Sequence, residues 1–295
     1  MNILIFGATG MLGHAVYSVL SNDQRLNVFG TVRSEAYQEA IPKKLQSNLI
    51  SNIDVENDQC LKKAFDQSKP DVVINCVGVI KQLADAKNAL VAIPINSLLP
   101  LKLERLSKMH NARLILMSTD CVFSGAKGNY LESDYPDCTD LYGRSKLLGE
   151  ITNEKNVLTI RTSIIGHELR GGHSLVNWFL NQTNEVQGFT KAIFSGLPTN
   201  ELASIISNCI TDWPSLHGLF HISANPISKY DLLCLIAKTY QKDIKIETNS
   251  TLHIDRSLNH GLFSSITGYK PKDWNELIIS MHRFHQQYQD APINS

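Results

Sequence analysis

Net charge of either sign is missing from this 295-residue chain: Lys and Arg total 28, and so do Asp and Glu. No broad basic field exists to hold nucleic acid or an anionic membrane surface, so neither partner is expected and an anionic ligand must be met by local groups. Also missing is any apolar stretch near the roughly 18 residues that a membrane-spanning helix needs. The start of the sequence lacks a charged segment leading into a long apolar one, the pattern of a secretory signal. Its six cysteines, Cys60, Cys76, Cys121, Cys138, Cys209 and Cys234, include no C-x-x-C pair. They read as reduced thiols in a chain large enough to be held by its core, which predicts a cytoplasmic location. The ten histidines show no metal-ligand spacing, so no metal is expected; His282 and His285, in a polar C-terminal helix, read as solvated.

What is present is a substantial apolar fraction, 43%, distributed in short continuous runs. Ile3 to Phe6, Leu26 to Val32, Leu49 to Ile53, Val72 to Val77, Leu114 to Met117, Val157 to Ile160 and Leu219 to Ile222 are strand-length, and helical periodicity separates them. Continuous rather than alternating character marks strands covered on both faces, so the expected fold is α/β: a Rossmann-type, doubly wound parallel sheet. From about residue 164 the pattern loosens. Residues 1–163 and 198–224 are read as the dinucleotide-binding part, and 164–197 and 225–295 as a smaller, discontinuous substrate-binding region.

Two stretches carry chemistry. In "GATGMLG", Gly7, Gly10 and Gly13 lie between the first apolar run and a helical pattern carrying Leu12, Val16 and Leu20. A strand-to-helix turn of this kind aims free amides and the positive helix end at an anion, and glycine lets a diphosphate approach. Further on, "LILMSTD" delivers Ser118, Thr119 and Asp120 to the end of a strand, and "DLYGRSKLLGE" places Tyr142 and Lys146 four apart, on one helix face. An ammonium beside a phenol favours the ionised phenol, which predicts a Tyr142 pKa below the ordinary value near 10. This is the one Y-x-x-x-K in the chain, and it follows a hydroxyl-bearing strand end.

These motifs, with "NCVG" (75–78), "STDCVFSG" (118–125), "IRTSIIG" (160–166), "FSGLPTNELA" (194–203) and "TGYKP" (267–271), resemble the extended short-chain dehydrogenases/reductases. Within them they are similar to the dTDP-4-dehydrorhamnose reductase group of nucleotide-sugar enzymes. The resemblance implies reduction of a C4 carbonyl on a nucleoside-diphosphate-linked 6-deoxyhexose in surface polysaccharide and O-antigen precursor synthesis, with Thr119, Tyr142 and Lys146 as the catalytic set. It implies a cofactor cradle formed by Gly7, Thr9, Gly10, Met11, Leu12 and Gly13. Asp54 and Val55 would meet the adenine, Cys76, Val77 and Gly78 the ribose side, and Tyr142 and Lys146 the nicotinamide end. "DRSLNHGLF" (255–263) and "NWFLNQ" (177–182) look closer to enzymes of UDP-linked 2-acetamido-2,6-dideoxy-4-keto sugars, including the UDP-L-rhamnosamine-forming branch. Cys121 stands where many members have tyrosine, which bears on sugar specificity.

The end of the second strand separates the two nicotinamide cofactors. An acid there would hold ribose hydroxyls, whereas "TVRSE" offers Arg33 and no acid until Glu35, so NADPH is expected. Arg256, with Lys191, is the expected cation for a diphosphate, beside Asp120 and Cys121 as substrate contacts. Arg161 reads as a salt-bridge partner and Asn96 equally as a structural amide or a support for Lys146; Trp178 and Phe179 read as core. Two alternatives stay open: an epimerase or dehydratase of nucleotide sugars, and a non-catalytic NADP-binding regulatory subunit. A homodimer is compatible with either.

Overall fold

Strands whose residues are apolar in succession must be covered on both faces, and the middle of this chain obeys that requirement. In the computed structural model, which describes residues 1–81 and 84–289, every residue of Val72–Asn75 and of Val157–Thr162 is buried. The strands are β1 (Asn2–Phe6), β2 (Asn27–Thr31), β3 (Leu49–Ile50), β4 (Val72–Asn75), β5 (Arg113–Thr119), β6 (Val157–Thr162), β7 (Ile164–Ile165), β8 (Val186–Phe189), β9 (Ala192–Phe194), β10 (Leu197–Pro198), β11 (Gly218–His221), β12 (Ile227–Ser228), β13 (Ile246–Asn249) and β14 (Ile254–Asp255). The helices are α1 (Met11–Leu20), α2 (Asp58–Ser68), α3 (Ala89–Ile93), α4 (Leu99–Met109), α5 (Leu141–Leu148), α6 (Leu175–Leu180), α7 (Thr199–Thr211), α8 (Lys229–Thr239), α9 (Gly261–Thr267) and α10 (Trp274–Gln289).

Seven strands form one parallel sheet in the order β11-β6-β5-β4-β1-β2-β3. Alternate residues of β1 divide between two cores. Ile3 and Ile5 join Leu12, Val16 and Ile206 on the α1/α7 side, while Leu4 and Phe6 join Leu61, Phe65 and Leu103 on the α2/α4 side. Each such buried side chain contributes about 1.5–3 kcal/mol relative to exposure. The order reverses at β1, between β4 and β2, so the crevice at the carboxyl ends of β1 and β4 is the place where this architecture admits a ligand.

Smaller sheets build the second region: β7 pairs with β10, β9 lies between β12 and β14, and β8 pairs with β13. Strands from residues 164–198 thus pair mostly with strands from 227–255. The last six residues of the expected substrate-binding region, 290–295, lie outside the described residues.

Strand limits differ from the apolar runs for local reasons. The run Leu49 to Ile53 yields only two paired residues, because Asn52 turns the chain at φ 59°, a conformation asparagine tolerates better than most. The run Val72 to Val77 stops at Asn75, whose side-chain oxygen accepts from the amide of Val77 at 3.1 Å and replaces a ladder bond. Conversely, β5 and β6 run past their apolar cores to Thr119 and Thr162, pairing to their last residues.

The glycine turn between β1 and α1 has two causes. Gly7 has φ +84°, and a Cβ on Gly13 would be driven into the carbonyl of Gly7, so internal geometry requires both to be bare. We expect Gly13→Ala to cost about 1–3 kcal/mol or more in urea unfolding, as overpacking does. Gly10, whose nearest neighbour to a Cβ would be 3.4 Å away, should tolerate alanine at under about 1 kcal/mol. Equal midpoints for the two variants would refute this account of the turn.

Candidate active site

Thr119 ends β5 beside β4 and β6, with its hydroxyl locked locally. The hydroxyl accepts from the Cys121 amide at 3.1 Å and donates to Asp120 Oδ1 at 3.1 Å. Helix α5 then brings Tyr142 and Lys146 to this strand end. Asp140 caps it, accepting from the Gly143 amide at 2.8 Å, and also pairs with Lys81 at 2.7 Å. Gly143 is bare because a Cβ would press on the Cys121 carbonyl and on Cys138, which lets the first turn of α5 lie directly against the loop after β5. On the other side, Asn96 in the π-helical turn Pro94–Leu98 accepts from the Val79 amide at 3.0 Å and donates to Ser145 Oγ at 3.1 Å. The amide thus ties α5 to the loop after β4.

The Thr119 hydroxyl faces the Tyr142 phenol and favours its ionised form. That effect is outweighed. Burial above all, then Cys121, Asp120 and Asp140, raises the phenol above its ordinary value rather than lowering it as the neighbouring lysine led one to expect. The reason is where Lys146 points: its ammonium donates to the Met117 carbonyl at 2.7 Å, and its field falls on Cys76. Burial lowers Lys146 itself to about 8, opposed by Glu150 and Cys76. Cys76 and Cys121 are pushed up to about 12, chiefly by burial, and are neutral thiols.

Asp120 is raised by burial, with Thr119, Arg256 and Lys229 pulling it back. Arg256 donates from Nε to the Phe123 carbonyl at 2.7 Å and keeps its charge directed at Asp120, Cys121 and Asp140. Lys229, the first residue of α8, lies 5.3 Å over the Phe194 ring, and its ammonium is lowered by burial while Asp120 and Cys121 oppose that. Sequence reasoning missed Lys229. Lys191 is exposed and lines a shallow depression with Gly125, Thr190 and His253, its carbonyl accepting from the Ile254 amide. Arg256 and Lys229, not Lys191, share the field around Asp120.

On the cofactor side, Thr9, Gly10 and Met11 reach the surface of the turn, Leu12 is buried in the core, and Gly7 donates to Thr31 Oγ1 at 3.2 Å. Gly10 is exposed and no packing demands its lack of Cβ, so this bare face fits the approach of a diphosphate to the start of α1. Arg33 is exposed two residues past the end of β2, and the next acid, Glu35, opens a short 3-10 turn. Asp54 is exposed and accepts from the Glu56 amide at 3.0 Å, with half-buried Val55 between them. Cys76, Val77 and Gly78 follow β4, and a Cβ on Gly78 would lie 3.4 Å from Asn96 Oδ1 and 3.9 Å from Lys146 Nζ. A cavity of about 1400 Å³ lies elsewhere, between α1, α10 and residues 39–46. There the expected solvation of His285 is replaced by stacking on His167 at 3.4 Å, and His282 packs against Tyr240 at 4.3 Å. Phe179 is core as expected, but Trp178 is 39% exposed.

Arg161 is the salt-bridge partner its position suggested, with Glu150: Nε and Nη2 reach the two carboxylate oxygens at 2.8 and 2.7 Å. Glu150 also accepts from Ser118 Oγ at 2.5 Å. Behind the guanidinium, His221 Nε2 lies 3.4 Å from Arg161 Nη1 and Nδ1 lies 3.0 Å from the Tyr130 carbonyl, an arrangement that suits a neutral ring with its proton on Nδ1.

A reversed-order parallel sheet, a bare glycine turn and Thr119, Tyr142 and Lys146 at one edge of that sheet are the features on which the resemblance to extended short-chain dehydrogenases/reductases rests. The chain belongs to the RmlD substrate binding domain family, whose model matches residues 1–281. Over 97% of this chain and 100% of the other, its fold superposes on a dTDP-4-dehydrorhamnose reductase of Clostridium acetobutylicum, with a TM-score of 0.79 and 23% identity. The same enzyme from Bacillus anthracis in complex with NADP gives 0.79 at 20% identity, covering 96% and 97%. In sequence the chain is 27% identical to methionine adenosyltransferase 2 subunit beta of Danio rerio over 253 residues, 81% of this chain and 73% of that one.

The buried histidine makes the fold acid-sensitive. Burial, and next the Arg161 charge, lowers His221 to about 4, below the 6.5 of an unfolded chain. The folded state therefore resists a proton that the unfolded state accepts, so stability is complete above pH 6.5 and is lost as pH falls towards 4. At pH 5 the loss from this residue should be about 2 kcal/mol relative to pH 7.5. Urea unfolding at both pH values should show His221→Gln with that much less pH dependence; an unchanged difference would contradict the assignment.

Proposed function

We propose that this chain is an NADPH-dependent reductase of the C4 carbonyl of a nucleoside-diphosphate-4-keto-6-deoxyhexose. The substrate is dTDP-4-dehydrorhamnose or a UDP-linked 2-acetamido-2,6-dideoxyhexos-4-ulose, and the product feeds surface polysaccharide such as O-antigen from the cytoplasm. One observation carries the reading: Thr119, Tyr142 and Lys146 converge at the end of β5, on the same carboxyl edge of the sheet as the bare glycine turn after β1, with β4 between them. Residues 1–163 and 198–224 then hold the cofactor, and 164–197 with 225 onward hold the sugar nucleotide. One chain carries the whole site, so a homodimer is compatible but not needed.

Burial keeps the Tyr142 phenol protonated at neutral pH, as a proton donor must be before the reaction. Thr119 turns its hydrogen from Asp120 to the carbonyl oxygen, and Tyr142 gives that oxygen its proton. NADPH, when bound, supplies the hydride to the carbonyl carbon. Lys146 holds the nicotinamide ribose; Gly7, Thr9, Gly10, Met11, Leu12 and Gly13 shape the diphosphate turn; and Arg33 meets the 2′-phosphate. Asp54 and Val55 lie at the adenine, and Cys76, Val77 and Gly78 along the ribose. Arg256 and Lys229 are the cations whose charge reaches Asp120, and they are the groups that would meet a substrate diphosphate. Lys191, backbone-paired to Ile254 two residues before Arg256, stands at the outer rim, and Cys121 touches the sugar.

Two rivals differ in what they consume. An epimerase or dehydratase regenerates its own nicotinamide, and the dehydratase arrangement of Asp followed by Glu is absent, since Cys121 follows Asp120. The likeness to a methionine adenosyltransferase subunit motivates the other rival, a non-catalytic partner of another protein. Purified chain alone, given a panel of UDP- and dTDP-4-keto sugars, should oxidise one mole of NADPH per mole of sugar, with mass spectrometry showing two added hydrogens. Tyr142→Phe should lower turnover about 10²- to 10⁴-fold and leave NADPH affinity nearly intact. Tightly held NAD with epimer exchange would favour the epimerase, and no turnover without a partner would favour the subunit.

Cofactor choice is tested separately. Loss of a charge-assisted contact worth about 1.5–3 kcal/mol should make Arg33→Ala bind NADPH roughly 10- to 100-fold more weakly while NADH affinity stays unchanged. An unaltered NADPH-to-NADH ratio in fluorescence titration would remove Arg33 from the cofactor site.

A further inference from the structure

Glu150 lies one helical turn beyond Lys146, just past the end of α5, and both side chains reach back to β5. Lys146 donates to the carbonyl of Met117 at 2.7 Å, and Glu150 accepts from the hydroxyl of the next residue, Ser118, at 2.5 Å. The following residue is Thr119. The Glu150 side chain is 5% exposed and its Arg161 partner 4%, and the guanidinium grips both carboxylate oxygens, so the carboxylate is fixed in place and cannot turn to solvent.

We infer that Glu150 is a positioning residue for this site: its carboxylate, clamped by Arg161, is the counter-charge that keeps Lys146 an ammonium and braces the strand end that presents Thr119. The groups around Lys146 leave that duty to Glu150. From β4 the neighbour is Cys76, a thiol that burial keeps neutral; from β5 it is a carbonyl; from α5 it is the protonated Tyr142 phenol. Asn96, from the turn before α4, is uncharged. Facing Glu150 are Arg161 from β6, Ser118 from β5 and Lys146 from α5, with neutral His221 of β11 behind the guanidinium. Burial lowers Lys146 to about 8, and Glu150 is the first group opposing it.

The sign follows directly. Lys146 loses its charge as pH rises through its pKa, so removing the Glu150 charge moves that loss to lower pH. The inference rests on the reductase reading only where Lys146 is said to touch the cofactor, and its primary test needs no ligand. With lysine labelled at the ε carbon with carbon-13 and the Lys146 signal identified by its absence in Lys146→Met, NMR titration should place the wild-type midpoint near 8. In Glu150→Gln it should fall by about one pH unit, the lower end of the effect of an opposite charge at close range. If that variant does not fold, Glu150→Gln is combined with Arg161→Met, a neutral replacement that buried pairs often tolerate, and its midpoint is read against Arg161→Met alone, below which it should fall by about one unit. A midpoint within about 0.3 units of the matching reference, wild type for the single variant or Arg161→Met for the double, would overturn the inference and leave Glu150 as a purely structural partner of Arg161. As a second readout, NADPH affinity of the variant should be about 5-fold weaker at pH 8 and within about twofold at pH 6. Failure of the wild type to bind NADPH would sink the reductase reading while the NMR midpoint still decides the role of Glu150.

Discussion

An ion pair almost wholly removed from water, Arg161 with Glu150, holds together the parts on which this site depends. Arg161 is a β6 residue, Glu150 follows α5, Ser118 belongs to β5, and His221 ends β11. The guanidinium also lies 5.2 Å over the Phe123 ring, which stacks on Tyr130 at 4.1 Å. Phe123 in turn offers its carbonyl to Arg256. One buried charge pair therefore reaches the strand of Thr119, the helix of Tyr142 and Lys146, and the arm that carries Arg256. Removing one member of such a pair costs about 3–5 kcal/mol, because the other is left buried and uncompensated. A hydrophobic pair of equal volume could hold the same elements together, but it would place no fixed charge beside Lys146.

Glycine answers a different constraint at the other side of the crevice. Gly7 is bare because of its φ of +84° and the Val77 beside it, and Gly13 because the turn folds on itself, whereas a Cβ on Gly10 would make only an ordinary contact, 3.4 Å from the Gly7 carbonyl. The first two are consequences of packing and would be needed whether or not a ligand bound. Only Gly10 is free to serve one. Glycine spacing alone does not distinguish these roles, since all three positions look alike in "GATGMLG".

That contrast marks the limit of what was legible in the sequence. Continuous apolar runs specify buried strands by composition, so the parallel sheet and its order-reversing crevice could be read from Ile3 to Phe6, Val72 to Ile74 and their successors. Tyr142 and Lys146 were legible because helical spacing is local. Lys229 was not: it meets Asp120 only after β12 has paired with β9 and set the start of α8, a contact between segments far apart in the chain. The stack of His285 on His167 depends likewise on α10 docking beside the loop after β7. The direction of the Tyr142 shift was misread for a related reason. Proximity in a helix says that an ammonium is near, but not that it turns away to a carbonyl of β5.

Burial acts alike on Tyr142 and Lys146, and the proposed reaction requires them to differ. Desolvation disfavours charge, so it pushes a phenol towards its neutral, protonated form and an ammonium towards its neutral, deprotonated form. For Tyr142 that direction is useful, and the acids Asp120 and Asp140 reinforce it. For Lys146 it is harmful on the proposed reading, because a neutral amine would be a poorer partner for a ribose hydroxyl and exerts no field. A site relying on burial alone would therefore keep its acid and lose its cation. Glu150 breaks the symmetry because it opposes the shift of Lys146 and is secured by Arg161, while the leading influences on the phenol, burial and Cys121, both raise it. On the inference drawn above, the placement of one carboxylate lets a half-buried pocket hold a protonated tyrosine and a charged lysine at the same pH.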